Sequence, residues 1–194
     1  GAAAATLFGA GRASTADAKT RVVLVRRREV LGADGRVNGV VLHGMLNEAV
    51  AALLGEKDAG AAWRRLVKPA DVVGVKSNAW GYLPTPPELE RAIREEVVRA
   101  GVRPENVDVD DRGVRSNPVF RRMTALVNVR PMRTHAWSGL GTCLKNVIMF
   151  VDNPPDYHDD ACAALGAIWQ KPPVAGKVRL NVLVMLTPQF HSVG

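Results

Sequence analysis

The feature that most constrains this chain is an alternation in which short β-branched runs recur, separated by stretches of helical spacing. Arg21-Val-Val-Leu-Val25, Asp71-Val-Val-Gly-Val75, Asn106–Asp110, Thr124–Val129 and Lys177–Leu186 read as strands. Asn38 is placed to cap a helix carrying Leu42, Met45, Leu46, Ala49, Val50 and Leu53 on one face, and Gly55 ends it. A second short helix spans Ala59–Leu66. In Thr85-Pro-Pro-Glu88, Thr85 is placed to cap, Pro86 to open the helix and Glu88 to close a capping box. Leu89, Ile93, Val97 and Ala100 then share a face, and Gly101 stops the helix. Two more helices are predicted at about Gly141–Phe150 and Asp160–Trp169. Strands that alternate with helices run side by side, so the pattern predicts an α/β fold with a mostly parallel sheet and helices on both faces.

Ligands of such sheets gather at the carboxyl ends of the strands, and the polar candidates fall there. Lys76, Ser77 and Asn78 follow the second strand, and Asp110 and Asp111 the third, with Arg112 beside them. His135 follows the fourth, and Ser138, Gly139, Gly141, Thr142, Lys145 and Asn146 come soon after. His135 is read as a metal ligand or proton shuttle, or as a structural hydrogen-bonder. Lys145 is read as a catalytic amine, as a grip on a phosphate above an anion-binding turn at Gly139–Thr142, or as a solvated helix residue. Asp110 and Asp111, with His135, form the candidate metal set; a strand-end aspartate also caps turns. Asn78 is a ligand contact or a turn residue, and Trp80 and Trp137 are pocket walls or core. The loop Asn153–Asp160, with Asp156, His158, Asp159 and Asp160, is expected at the mobile surface, and His43 is structural.

The formal charge of +7 points to an anionic partner. The only tight basic run is Arg26-Arg27-Arg28, and no zinc-finger, RNP-type or helix-turn-helix signature accompanies it, which argues against nucleic acid and for a small anionic ligand or a docking protein. The two cysteines, Cys143 and Cys162, form no C-x-x-C pair, so no zinc ribbon or iron–sulfur motif is present. Whether the two pair is left open, with a buried free thiol the expectation for Cys162. No segment is apolar enough to span a membrane. Residues 1–18 end in Ala16-Asp-Ala18 and read as the remnant of a secretory signal, leaving residues 19–194 as the folded domain. A central-looking strand so near the last residue leads to the expectation that the domain is incomplete and continues further.

Val75-Lys-Ser-Asn78, Thr85-Pro-Pro-Glu88, Asp110-Asp-Arg112 and above all Thr134-His135 with Gly141-Thr-Cys-Leu-Lys-Asn146 resemble the DUF362 family of α/β proteins, in order over most of residues 20–194. The chain departs from the family where Lys76-Ser-Asn78 replaces a usual Lys-Pro-Asn and Arg133-Thr-His135 a usual Lys-Thr-His. The family's second half and the ferredoxin module of some members are not in this stretch. The ending Leu186-Thr-Pro-Gln-Phe-His191 resembles that of exported members, and the Ala/Gly-rich run in residues 1–18 resembles twin-arginine export signals. An exported, periplasmic protein is therefore expected, acting as an enzyme or enzyme subunit, or as an electron-transfer or binding partner of another periplasmic protein. His135, Gly139 and Lys145 also resemble, in spacing, an element of lactate-racemase-type enzymes, which implies a nickel-pincer nucleotide on the lysine with the histidine in the active site. Under that reading Lys76, Asn78, Ser138, Gly139, Gly141, Thr142 and Asn146 line a metal or nucleotide-like cofactor.

Overall fold

A computed structural model describes residues 20–190. The signal-like segment 1–18 lies outside the described residues. The elements in chain order are α1 (Gly39–Leu54), α2 (Ala59–Leu66), β1 (Val73–Lys76), α3 (Pro87–Arg99), β2 (Val107–Asp110), α4 (Pro118–Arg122), β3 (Ala125–His135), β4 (Gly139–Gly141), α5 (Cys143–Asn146), α6 (Asp159–Cys162), α7 (Leu165–Ile168) and β5 (Val178–Gln189). β1 lies between β2 and β3, and β5 flanks β3 on its other side; all of these pairs are parallel. β4 folds back antiparallel on the end of β3, setting Arg133 opposite Gly141 and His135 opposite Gly139. The fold is therefore α/β with a mostly parallel sheet.

Period-2 alternation divides β3 between two cores. Ala125, Val127 and Val129 join Val73 and Val75 under α1, α2 and α3. Leu126 points the other way, into a second cluster with Phe120, Met123, Val147, Ile148, Leu165 and Ile168. The helical layer of the first face is tied together by buried polar groups: Glu96 of α3 accepts from Asn47 of α1 at 3.0 Å and bonds His43 at 2.6 Å, while Trp63 of α2 donates to Asn47 at 2.9 Å. Burial alone would raise the Glu96 carboxyl, but the bonds from Asn47 and His43 and the Arg99 charge outweigh it and hold it below its ordinary value. His43 is structural, as the sequence reading has it.

Several expectations are corrected. Residues 21–25 form no strand: they cross the end of α1, where Arg21 donates to the carbonyl of Leu53 at 3.2 Å, and Val22 and Leu24 stay exposed. α3 begins at Pro87 without a side-chain cap. The Thr85 hydroxyl instead accepts from the Asn78 N–H at 3.1 Å, closing the loop that leaves β1. The helix expected over 141–150 is one turn of α-helix followed by a 3-10 turn, Val147–Phe150. The helix expected at 160–169 is broken into two turns by positive φ at Asp160, Ala161 and Cys162. β3 runs six residues beyond Val129, through Arg130 and Pro131. β1 ends opposite Asn128 and β4 pairs only from Arg133 onward, so at Pro131 that edge of β3 is unpaired, where a residue lacking an N–H is tolerated.

Candidate functional site

The carboxyl ends of β1, β2 and β3 meet over α5 in a buried polar layer. Asn128, Arg130, Lys76, Asn146 and Lys145 are all at most 6% exposed. Asn146 is the hub. Its amide nitrogen lies 2.8 Å from Asn128 Oδ1, 3.1 Å from the Lys76 carbonyl and 3.1 Å from the Val129 carbonyl. Its carbonyl oxygen accepts from Asn78 at 3.3 Å and from Lys76 Nζ at 3.4 Å. Asn128 extends the layer to β5, donating to Asn181 at 2.8 Å. Such a network fixes where the strand ends stand relative to α5, because each buried amide left unpaired would cost about 1–3 kcal/mol.

The charges on this layer are unbalanced. Lys76 is fully buried and pairs with Asp111, whose second oxygen accepts from the Ala79 N–H at 2.7 Å. Burial pushes the Lys76 ammonium down to about 8, against the pull of Asp111. Arg133 donates to Asn78 Oδ1 at 2.9 Å and stacks 4.0 Å over the Trp80 ring. Arg130 has no such company. It is 3% exposed and its Nε has no hydrogen-bond partner among the described residues, nor does any carboxylate pair with its guanidinium there. Burial, then the Arg133 charge, lowers it to about 10, with Asp111 opposing. Gly141 makes this position possible: a Cβ there would stand 2.8 Å from Arg130 Nη2.

Above the arginines is a cluster of imidazoles. His135 Nδ1 accepts from the Ser138 N–H at 3.2 Å and lies 3.0 Å from its hydroxyl, so the proton of the neutral ring is on Nε2. Burial, and then the charges of Lys145 and Arg130, push His135 down to about 4. His158 stacks on His135 with ring centres 5.8 Å apart, and Trp137 covers both rings at 5.5 and 4.7 Å. Lys145 Nζ and His158 Nε2 share a hydrogen bond of 2.8 Å. Burial, helped by Arg130 and Arg133, lowers Lys145 to about 8, while Cys162 opposes. The Cys143 thiol, pushed up to about 11 mainly by burial, is neutral.

The structure thus brings together Lys76, Asn78, His135, Ser138, Gly141, Lys145 and Asn146, and it separates others. Asp110 caps the next turn, accepting from the Gly113 N–H at 2.9 Å and from Asn117 at 3.0 Å. Asp111 is taken by Lys76. Among the described residues no three His, Cys, Asp or Glu side chains stand together as a metal site, so Asp110, Asp111 and His135 are not gathered as one. Gly139–Thr142 is a strand and hairpin end rather than an anion-binding helix start, and the four-residue α5 that follows has little dipole to offer. Thr142 gives no side-chain cap, and Gly139 supplies the left-handed hairpin residue at φ 69°. Asn78 is not a simple turn residue, since it orients Arg133. Cys143 and Cys162 are both free thiols, and Cys162 is buried.

Sequence reasoning missed Arg130 and misplaced His158. An arginine two residues after Asn128, on the same face of an apolar strand, was the available signal; ending the strand at Val129 hid it. His158 was assigned to a surface loop, yet the left-handed turn at Asp160–Cys162 folds that loop onto Lys145.

Compared with known proteins, the chain matches no family model, no curated protein and no solved structure. Among the described residues no helix is long and apolar enough to cross a membrane.

Proposed function

We propose that this chain is an enzyme, or the substrate-binding part of one, that takes a small carboxylate- or phosphate-bearing ligand at the carboxyl ends of its parallel strands. One observation carries the reading: among the described residues Arg130 is buried with its Nε unbonded and no carboxylate in ion-pair contact, Asp111 acting on it only from a distance. A buried unpaired ion costs several kcal/mol, a cost no fold retains without return, and an anion seated on Arg130 and Arg133 would repay it. Lys76 and Lys145 supply further positive charge, opposed by Asp111 and, at Lys76, more weakly by Asp110. Lys145, its ammonium lowered to about 8, hydrogen-bonded to His158 and close to the neutral ring of His135, fits proton transfer near neutral pH. The order of motifs that resembles the DUF362 family agrees with a site built on His135, Lys145 and Asn146, and export to the periplasm belongs to the same proposal. Among the described residues no cluster of three His, Cys, Asp or Glu side chains favours a divalent metal, so the reading rests on anion binding.

The test is calorimetric titration with inorganic phosphate and with oxalate, on the wild type and on Arg130→Met. The expected result is that at least one anion binds the wild type and that affinity falls at least tenfold in the variant. Equal affinity in the two proteins would overturn the assignment.

A further inference from the structure

Lys145 is an unusual lysine even for this site. It is 6% exposed, yet its partner is an imidazole rather than a carboxylate. The groups facing it are the rings of His158 and His135, the guanidinium groups of Arg130 and Arg133 and the Cys162 thiol, whose sulfur bonds the His158 carbonyl at 3.7 Å. No carboxylate among them stabilises an ammonium. An amine held this way gives up its proton far more readily than a solvated lysine and so exposes the lone pair that nucleophilic attack requires. The neighbouring arginines supply the other half of a recognition pattern, because a carboxylate bound there would carry an adjacent carbonyl into the same cluster.

We propose that Lys145 forms a Schiff base with the carbonyl of a small 2-oxo acid, a step that rests on the anion-binding reading of Arg130 and Arg133. The neutral amine attacks the carbonyl carbon, a C–N bond forms, and the carbonyl electron pair moves to oxygen. His158 accepts the amine proton and passes it to that oxygen. The C–O bond then breaks, the oxygen leaves as water with one further proton from solvent, and the C=N bond of the protonated imine remains. Nothing is oxidised or reduced, and water reverses the step.

The experiment is trapping with pyruvate and sodium cyanoborohydride, read by intact mass and peptide mapping, alongside pyruvate binding followed by tryptophan fluorescence. The expected result is an increase equal to pyruvate less one oxygen atom, mapped to Lys145. It disappears in Lys145→Arg, slows at least tenfold in His158→Gln and persists in the exposed control Lys171→Arg. An adduct that persists in Lys145→Arg, or that maps to other lysines, overturns the proposal. Pyruvate binding that depends on Arg130 but yields no adduct overturns the Schiff base alone. No binding of pyruvate, phosphate or oxalate to the wild type overturns both readings.

Discussion

Arg130 sits where its charge works against folding, and that sets the sharpest prediction at the scale of single residues. Arg130→Met keeps most of the side-chain volume and removes an unpaired buried ion, so the variant should be more stable by about 1–4 kcal/mol while losing anion binding. Urea unfolding and calorimetry on the same sample check both halves; a destabilised variant would mean that Arg130 has a structural partner. His135 gives a pH prediction. Its value is about 4 in the fold against 6.5 as a free side chain, so between those pH values the unfolded chain takes up a proton that the native chain refuses. Stability must therefore fall as pH drops from 6.5 toward 4, and His135→Asn should flatten that part of a denaturation–pH profile. Lys76 and Lys145, both near 8, predict that anion affinity declines as pH rises past 8. At this scale the sequence was half legible. Lys76, His135, Lys145 and Asn146 stand out as polar residues after strands; Arg130 does not, because its meaning depends on the absence of a partner, which only three dimensions can show.

At the scale of elements, α1, α2 and α3 were legible, whereas α4, the broken turns after β4 and the strand ends were not. α1 and α2 appear where Asn38, Gly55 and the apolar stripes place them, with the Asn38 side chain accepting from the Val41 N–H and Gly55 at φ 69°. Those signals are local, and local chemistry decides them. β3 overran its apparent end because pairing with β5 and β4 continues past Pro131. Thr85 was read as a cap, yet it closes a loop because the Asn78 N–H is the donor within its reach. Close approach of elements yields one more prediction. Gly74 lets β1 pass under α4, where a Cβ would stand 2.9 Å from Met123 Sδ and 2.9 Å from Phe120. Gly74→Ala should destabilise the protein by about 1–3 kcal/mol through overpacking, measured by thermal or urea unfolding; an unchanged midpoint would show that this layer yields freely. Gly141→Ala should instead leave stability nearly unchanged and weaken anion binding, because what it displaces is the Arg130 guanidinium.

For the whole molecule, parallel order follows from the alternation of strands and helices, and the site lies where that order puts it, at the carboxyl ends of β1, β2 and β3. The two cores on opposite faces of β3 hold these ends rigidly, and the asparagine layer around Asn146 transmits that rigidity to the charged groups above. On the proposed reading, an anion that joins Arg130 and Arg133 should raise the protein's stability, and high salt should remove that gain. The most direct measurement is a crystal structure of the wild-type chain grown with oxalate and without sulfate or phosphate. The account predicts oxalate on the Arg130 guanidinium beside Arg133, with Lys145 and His158 at its edge. An empty site with Arg130 turned to a protein carboxylate or carbonyl would contradict it.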